Sequence, residues 1–251
     1  MKCALRAIYI LAVGLVLASH TMAAELETLP QGFVYLRDLA PSIVQDMRYA
    51  TANNFTGKPV PGYDAPECVL QRNAAEALKR AQEKAESLRL SLKVYACYRP
   101  VRAVRAFLAW AAAPEDGRTK RYYPRLNRSQ LVPEYIASQS QHSTGLAVDL
   151  TLVPVSAAPD EAQDTQDCTA PAPERGGGGS SGMGTAFDCF DTKANTASPQ
   201  VAPAQRKTRE LLLSIVEGAG FKNYAAEWWH FSYPGGGAQR YDFPIEPRPA
   251  H

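Results

Sequence analysis

Residues 140–149 read Ser-Gln-His-Ser-Thr-Gly-Leu-Ala-Val-Asp, and an alternation of small or polar and apolar side chains runs from Gly145 to Val153. A period of two is typical of a β-strand, in which alternate side chains share one face. Ala147 and Asp149 then lie on the same face. The stretch predicts a strand that carries a carboxylate, preceded closely by the imidazole of His142.

Histidine is scarce in this chain, and its placement indicates a metal site. The chain has four histidines, of which His20 lies in an N-terminal apolar segment and His251 is the last residue. Only His142 and His230 are expected inside the fold. Together with Asp149 they would supply two nitrogens and one oxygen, and a catalytic zinc commonly takes three such ligands and keeps a fourth position open.

Residues near these candidate ligands supply the other groups that peptide hydrolysis requires. Glu227 begins the run Glu-Trp-Trp-His that ends at His230, and its carboxylate can carry the proton of an attacking water. Side chains three apart in a strand point to opposite faces, so this run requires a bend. Arg99 is the candidate cation for a developing oxyanion, because a guanidinium is always charged. Taken alone, an arginine is more often simply paired with a carboxylate.

The first 24 residues have the plan of a secretory signal peptide. Basic residues precede an uninterrupted apolar run from Ile8 to Ala18, and small residues allow cleavage after Ala23 or Ala24. This run is shorter than the ~20 residues that span a bilayer, and no later stretch reaches that length. We therefore expect the mature chain, residues 25–251, to be soluble and exported, in the periplasm of a bacterium.

Export gives the remaining cysteines a structural meaning. Four cysteines follow the signal segment, and in an oxidising compartment an even number favours disulfides. Four cysteines allow three pairings, of which proximity favours Cys68 with Cys97 and Cys168 with Cys189. A cysteine metal site is the alternative, but the close Cys-x-x-Cys grouping of structural zinc is missing.

Size and charge favour one domain that acts on a small molecule or peptide. The mature chain has about 227 residues, enough for a single core. Without the signal segment it carries 25 basic and 25 acidic residues, so charge gives no reason to expect a nucleic acid or an anionic membrane as partner.

Residues 155–182 are rich in Ala, Pro, Asp, Ser and Gly, which predicts a mobile surface insertion. The sequence carries no indication of oligomeric state.

Hydrophobic periodicity predicts helices and strands in mixed order along the chain. The expected helices are 73–87, 101–112 and 206–217, and the expected strands are 33–36, 92–96, 145–153 and 227–233.

Five blocks of sequence lie between about Asp46 and His230. They are Tyr49-Ala-Thr-Ala-Asn-Asn-Phe-Thr-Gly-Lys-Pro-Val-Pro-Gly-Tyr63, Tyr98-Arg-Pro-Val-Arg-Ala-Val104, Ser140 to Leu152, Met183-Gly-Thr-Ala-Phe-Asp188 and Glu227-Trp-Trp-His230. Together these blocks resemble the D-alanyl-D-alanine dipeptidases of the vancomycin-resistance type. These enzymes belong to a zinc-peptidase superfamily that includes D-alanyl-D-alanine carboxypeptidases and the hedgehog signalling domain.

The resemblance implies a single α+β domain, with a central antiparallel sheet flanked by helices, and one zinc ion per chain. It also implies roles for eight residues. These are the zinc ligands His142, Asp149 and His230, the general base and acid Glu227, the intermediate-stabilising Arg99, and Tyr49, Ser140 and Asp188 around the free amino end of a dipeptide.

Two departures from the family pattern accompany this resemblance. Ala96 stands where the family often has an acidic residue three positions before the arginine, and the connection at residues 155–182 is longer than usual.

The expected activity is hydrolysis of D-Ala-D-Ala in peptidoglycan dipeptide turnover. A D,D-carboxypeptidase acting on stem peptides is the alternative enzyme, which the Asp188 block disfavours. A non-catalytic, zinc-stabilised binding module is the third possibility, and it needs neither Glu227 nor Arg99.

Overall fold

A computed structural model describes residues 29–155, 166–170, 182–235 and 239–248. The expected signal peptide at residues 1–24 lies outside the described residues. So does most of the expected insertion at residues 155–182. Both remain predictions.

The described residues form four α-helices and seven β-strands. The helices are α1 (Leu36–Leu39), α2 (Arg72–Glu86), α3 (Val101–Ala112) and α4 (Pro203–Gly218). The strands are β1 (Phe33–Tyr35), β2 (Val44–Gln45), β3 (Val69–Gln71), β4 (Leu90–Ala96), β5 (Ala147–Pro154), β6 (Lys222–Asn223) and β7 (His230–Ser232).

Five strands build the main sheet in the order β2-β4-β5-β7-β6. Every neighbouring pair is antiparallel except β2 and β4, which run parallel at one edge. Parallel neighbours need a long crossover connection, and here the crossover contains β3 and α2. The predicted α+β fold with a central antiparallel sheet is therefore confirmed, with one parallel edge pair that the sequence did not reveal.

The sequence periodicities place the core correctly. In α2 the apolar residues that share one helix face are fully buried, at Ala74, Leu78, Ala81 and Ala85. In β5 every residue except the last is buried, because the strand lies in the middle of the sheet with both faces covered. A small second sheet, which pairs β1 with β3, was not expected.

This second sheet backs the turn that carries His142. A 3₁₀ turn at Gln141–Thr144 ends at Gly145, whose φ of +75° is left-handed. A Cβ at Gly145 would lie 2.3 Å from Cε1 of Phe33 in β1. Only glycine has both the conformation and the room, so the packing of β1 fixes where the turn ends and β5 begins.

The C-terminal segment, residues 239–248, is fastened to the same region. The amide of Tyr241 donates to the carbonyl of Ser143 over 2.9 Å, and the amide of Val101 donates to the carbonyl of Tyr241 over 3.0 Å. Phe243 stacks on Tyr98 with ring centroids 4.2 Å apart. The end of the chain thus supports both the His142 turn and the start of α3.

Two disulfides join the four cysteines in the pairs that proximity favours, Cys68 with Cys97 and Cys168 with Cys189. All four side chains are buried. Among the described residues, no helix combines the length and the apolar character that crossing a membrane requires.

Candidate active site

Three side chains from separate elements converge at one end of the main sheet. His142 comes from the 3₁₀ turn, Asp149 from β5 and His230 from the first position of β7. Asp149 and His230 are direct partners in the antiparallel pairing of β5 with β7. Residues opposite each other in such a pair project to the same face, which explains why residues 81 positions apart in the chain meet.

The three candidate ligand atoms form a nearly regular triangle. His142 Nε2 lies 3.2 Å from Asp149 Oδ1 and 3.0 Å from His230 Nδ1, and His230 Nδ1 lies 3.0 Å from Asp149 Oδ1. Tetrahedral zinc, with bonds of ~2.0–2.1 Å, separates its ligand atoms by roughly 3.3 Å. The donor set and its spacing therefore fit a zinc-sized ion.

The second nitrogen of each imidazole has a partner of its own. His142 Nδ1 donates to the main-chain carbonyl of Cys97 over 2.7 Å, and Ser232 Oγ lies 3.4 Å from His230 Nε2. These contacts favour the tautomers that turn the lone pairs of the facing nitrogens towards Asp149. Such a convergence of acceptors is stable only with a cation or a proton between them.

Burial and mutual contacts shift the pKa values of all three candidate ligands. Burial lowers the pKa of His142 to about 4. Burial also opposes a charge on His230, but the hydrogen bond and charge of Asp149 raise the His230 pKa above its ordinary value. Burial alone would raise the pKa of Asp149, yet the two imidazoles bring it well below its usual range. Asp149 is thus an anion, as a metal ligand must be.

Glu227 lies in a turn immediately before β7. Its amide donates to the carbonyl of Tyr224 over 2.9 Å, and the amide of His230 donates to the carbonyl of Glu227 over 3.3 Å. This turn is the bend that the sequence required, so a strand covering all of 227–233 was too long a prediction. One carboxylate oxygen of Glu227 lies 4.0 Å from His230 Nδ1. Burial raises the pKa of Glu227 to about 7, near the value that suits a proton carrier at neutral pH.

Arg99 is held by polar and aromatic contacts. Its Nη2 lies 3.6 Å from Asp149 Oδ2, and Nη1 donates to Ser140 Oγ over 3.5 Å. The guanidinium carbon also lies 5.1 Å from the ring centroids of Tyr49 and Phe107. Carboxylate, hydroxyl and aromatic faces together fix the guanidinium beside the triangle.

Tyr49 and Asp188 form another part of the cavity wall. The hydroxyl of Tyr49 donates to the carboxylate of Asp188 over 2.9 Å, and both side chains are buried. Burial, and after it the charge of Asp149, raises the pKa of Asp188 well above its ordinary value. A cation entering the pocket is what would favour the ionised carboxylate.

The segment around Asp188 is fixed from behind by a buried arginine of α4. Arg209 donates to the carbonyls of Met183 over 2.8 Å, Asn195 over 2.7 Å and Lys193 over 3.1 Å. These bonds hold both ends of the stretch that carries Asp188.

All eight residues singled out by the sequence line one cavity of about 290 Å³. The cysteines do not line it. The rest of the wall was not predicted, because most of its aromatic residues and the 133–139 loop lie outside the five blocks, and Phe55, which lies inside one, has no group typical of catalysis. These missed residues include Phe55, Phe107, Tyr135, Ile136, Phe190 and Tyr224.

Comparisons with known proteins show which family this chain resembles. The family model for peptidase M15, described as D-ala-D-ala dipeptidase, matches residues 30–159 and 162–246. A D-alanyl-D-alanine dipeptidase of Enterococcus faecium is 36% identical over 222 residues, covering 86% of this chain and 98% of the relative. One from Streptomyces coelicolor is 39% identical over 80% of this chain and 90% of its own length. One from Escherichia coli is 32% identical over 79% and 84%. With a family match over most of its length and relatives this similar, the chain belongs to the peptidase M15 family of D-Ala-D-Ala dipeptidases.

Proposed function

We propose that the protein is an exported zinc dipeptidase that hydrolyses D-alanyl-D-alanine to two D-alanines. One observation carries the proposal. A metal-ligand triangle, the acid–base carboxylate Glu227 and the buried carboxylate Asp188 line a single cavity of about 290 Å³. The names of the relatives support the substrate, and the zinc dependence of the family supports the metal.

In this proposal His142, Asp149 and His230 hold the zinc ion. When bound, the ion supplies Lewis-acid polarisation of the scissile carbonyl and activation of a water. The protein orients the ligands itself, since the Cys97 carbonyl sets the tautomer of His142 and the β5–β7 pairing places His230 opposite Asp149. The ligands are therefore held in place by the fold.

Glu227 moves the protons of the reaction. Its carboxylate takes a proton from the attacking water and returns it to the leaving amine, so one group serves first as base and then as acid. Burial supports this double role because it brings the pKa close to neutrality. Arg99 faces the negative charge that develops on the carbonyl oxygen, and a donor fixed before the reaction stabilises that charge without reorganisation.

The polar groups of Asp188, Tyr49 and Ser140 recognise the free amino end of the dipeptide. Asp188, Tyr49 and Ser140 offer one carboxylate and two hydroxyls to an ammonium group, which donates in three directions. In this proposal the cavity ends at these groups, so a dipeptide is accepted and longer peptides are excluded. Selection of the free amino end would therefore separate a dipeptidase from a carboxypeptidase.

The decisive experiment measures D-alanine release from D-Ala-D-Ala and, in parallel, from a pentapeptide ending in the same pair. We expect release from the dipeptide alone, lost with a chelator and restored by zinc. Release from the pentapeptide would assign the protein to the carboxypeptidase branch. No release from either would favour the binding-module alternative.

Asp188→Asn tests how the amino end is recognised. A hydrogen bond to a charged group contributes roughly 1.5–3 kcal/mol, so we expect KM for D-Ala-D-Ala to rise about 10- to 100-fold. N-acetyl-D-Ala-D-Ala, which has no ammonium group, serves as the matched substrate. The preference for the free dipeptide over the acetylated one should shrink in the variant. An unchanged KM would remove Asp188 from the proposed site.

We infer the place of action from the N-terminal segment and the disulfides. A signal peptide and two disulfides both fit an oxidising compartment outside the cytoplasm, which supports the periplasm. There the enzyme would recover D-alanine from dipeptide released in wall turnover. Growth on D-Ala-D-Ala that does not depend on the gene would contradict this role.

A further inference from the structure

We propose that the two disulfides position two different parts of the site. Cys68–Cys97 positions the metal side, and Cys168–Cys189 positions the wall that recognises the amino end. The proposal rests on the proposed function for the roles of His142 and Asp188. It assigns the cysteines a task beyond stabilising the fold.

On the metal side, residues 97–99 form two hydrogen bonds with His142. The carbonyl of Cys97 accepts the hydrogen bond of the His142 ring over 2.7 Å, and the amide of Arg99 donates to the His142 carbonyl over 3.2 Å. The same short segment therefore fixes both the orientation of the His142 ring and the position of its backbone. Any shift of Cys97 moves a candidate ligand directly.

The sheet alone does not hold this segment. The strand β4 ends at Ala96, and its register with β5 already shifts between Val94 and Ala96. One residue later the disulfide ties Cys97 to Cys68, and the amide of Tyr98 donates to the carbonyl of Val69 over 2.9 Å. The disulfide therefore holds the chain in place directly after the strand pairing ends.

On the opposite side, Cys168 holds the chain before and after Asp188. Its carbonyl accepts a hydrogen bond from the amide of Ala186 over 2.9 Å, and its sulfur is bonded to Cys189. Its own amide donates to the carbonyl of Arg121 over 2.8 Å, which anchors the group to the rest of the fold. The two attachments lie within four residues and span the candidate carboxylate.

The conformation of Asp188 shows why such an attachment is needed. Its φ is +57°, a left-handed value that is costly for a residue with a side chain. Strained residues of this kind persist only where the surroundings fix them. Releasing Cys189 would let Asp188 relax away from Tyr49, whereas no hydrogen bond joins the His142 turn to this disulfide in the described part of the chain.

The test uses two double variants, Cys68→Ala/Cys97→Ala and Cys168→Ala/Cys189→Ala. Each removes one buried disulfide, with sequence separations of 29 and 21, so each is the matched control for the other. Zinc affinity is measured by competition with a chromophoric chelator. KM for D-Ala-D-Ala is measured with zinc in excess, and thermal unfolding of both variants records their stability.

We expect each double variant to change a different one of these two quantities. Loss of Cys68–Cys97 should weaken zinc binding about 10- to 100-fold, the usual effect of disturbing the partner of a ligand, with KM unchanged once zinc is saturating. Loss of Cys168–Cys189 should leave zinc affinity unchanged and raise KM about tenfold or more. A merely structural role would lower stability in both variants without separating these two readouts.

Equal changes in both variants, or no change in either, would overturn the proposal. If the first pair does not fold, Cys68→Val/Cys97→Ala fills more of the lost volume and carries the same test. Zinc affinity is read without turnover, so it remains measurable if the natural protein does not hydrolyse the dipeptide. Failure of the proposed function is in that way distinguished from failure of this inference.

Discussion

Glu227→Gln is expected to lower kcat by roughly 10³- to 10⁴-fold while zinc affinity stays unchanged. General acid–base catalysis contributes up to about 10⁴-fold, and here one carboxylate would serve both proton transfers. Glutamine keeps the size of the side chain and its place in the turn before β7, but it cannot accept and return a proton. Steady-state kinetics on D-Ala-D-Ala, together with chelator competition, measure the two quantities separately.

The control for this variant is Glu210→Gln, a similar change on the exposed surface of α4. It should leave kcat and zinc affinity as they are. Two results would contradict the role given to Glu227. Retained turnover would remove it as the proton carrier, and lost zinc would make it a ligand.

Arg99→Lys is expected to lower kcat by about 10²- to 10³-fold with little change in KM. Removing one fixed donor to a developing oxyanion has an effect of this size. Lysine keeps the positive charge, but its single ammonium cannot reach Asp149 and Ser140 together while stacking on the faces of Tyr49 and Phe107. The kcat loss should therefore appear although the net charge of the pocket is unchanged.

Arg102→Lys is the matched control, because Arg102 lies three residues further on, pairs with Asp242 and is exposed. Its kcat should equal that of the natural protein. If Arg99→Lys also retains its kcat, then Arg99 serves only as the partner of Asp149, which is the simpler interpretation of a lone arginine.

The sequence allowed the site to be predicted better than the shape around it. Two histidines in recognisable blocks, with Asp149 on an alternating strand, were enough to nominate the triangle. The bend between Glu227 and His230 also followed from strand geometry alone. Helices α2 and α3 were found within a few residues because their apolar faces repeat every three to four positions.

The features that escaped prediction are short or depend on distant residues. The strands β2 and β3 have two and three residues, too few to show a period. The contact between Tyr49 and Asp188 joins positions 139 apart, and the left-handed φ of Asp188 has no signal in its side chain. The departure at Ala96 was visible, but the contacts of Arg99 come from Ser140, Phe107 and Asp149, which only the fold brings together.

The position of β7 near the end of the chain has a consequence for the order of events during biosynthesis. At about 5–20 residues per second, His230 emerges roughly 4 to 18 s after His142, and Tyr241, which fastens the His142 turn, emerges later still. No growing chain can hold the complete triangle before then. The three candidate ligands are thus complete only in a chain synthesised beyond His230, and for a chain exported as proposed we expect metal loading after translocation, from the zinc of the envelope.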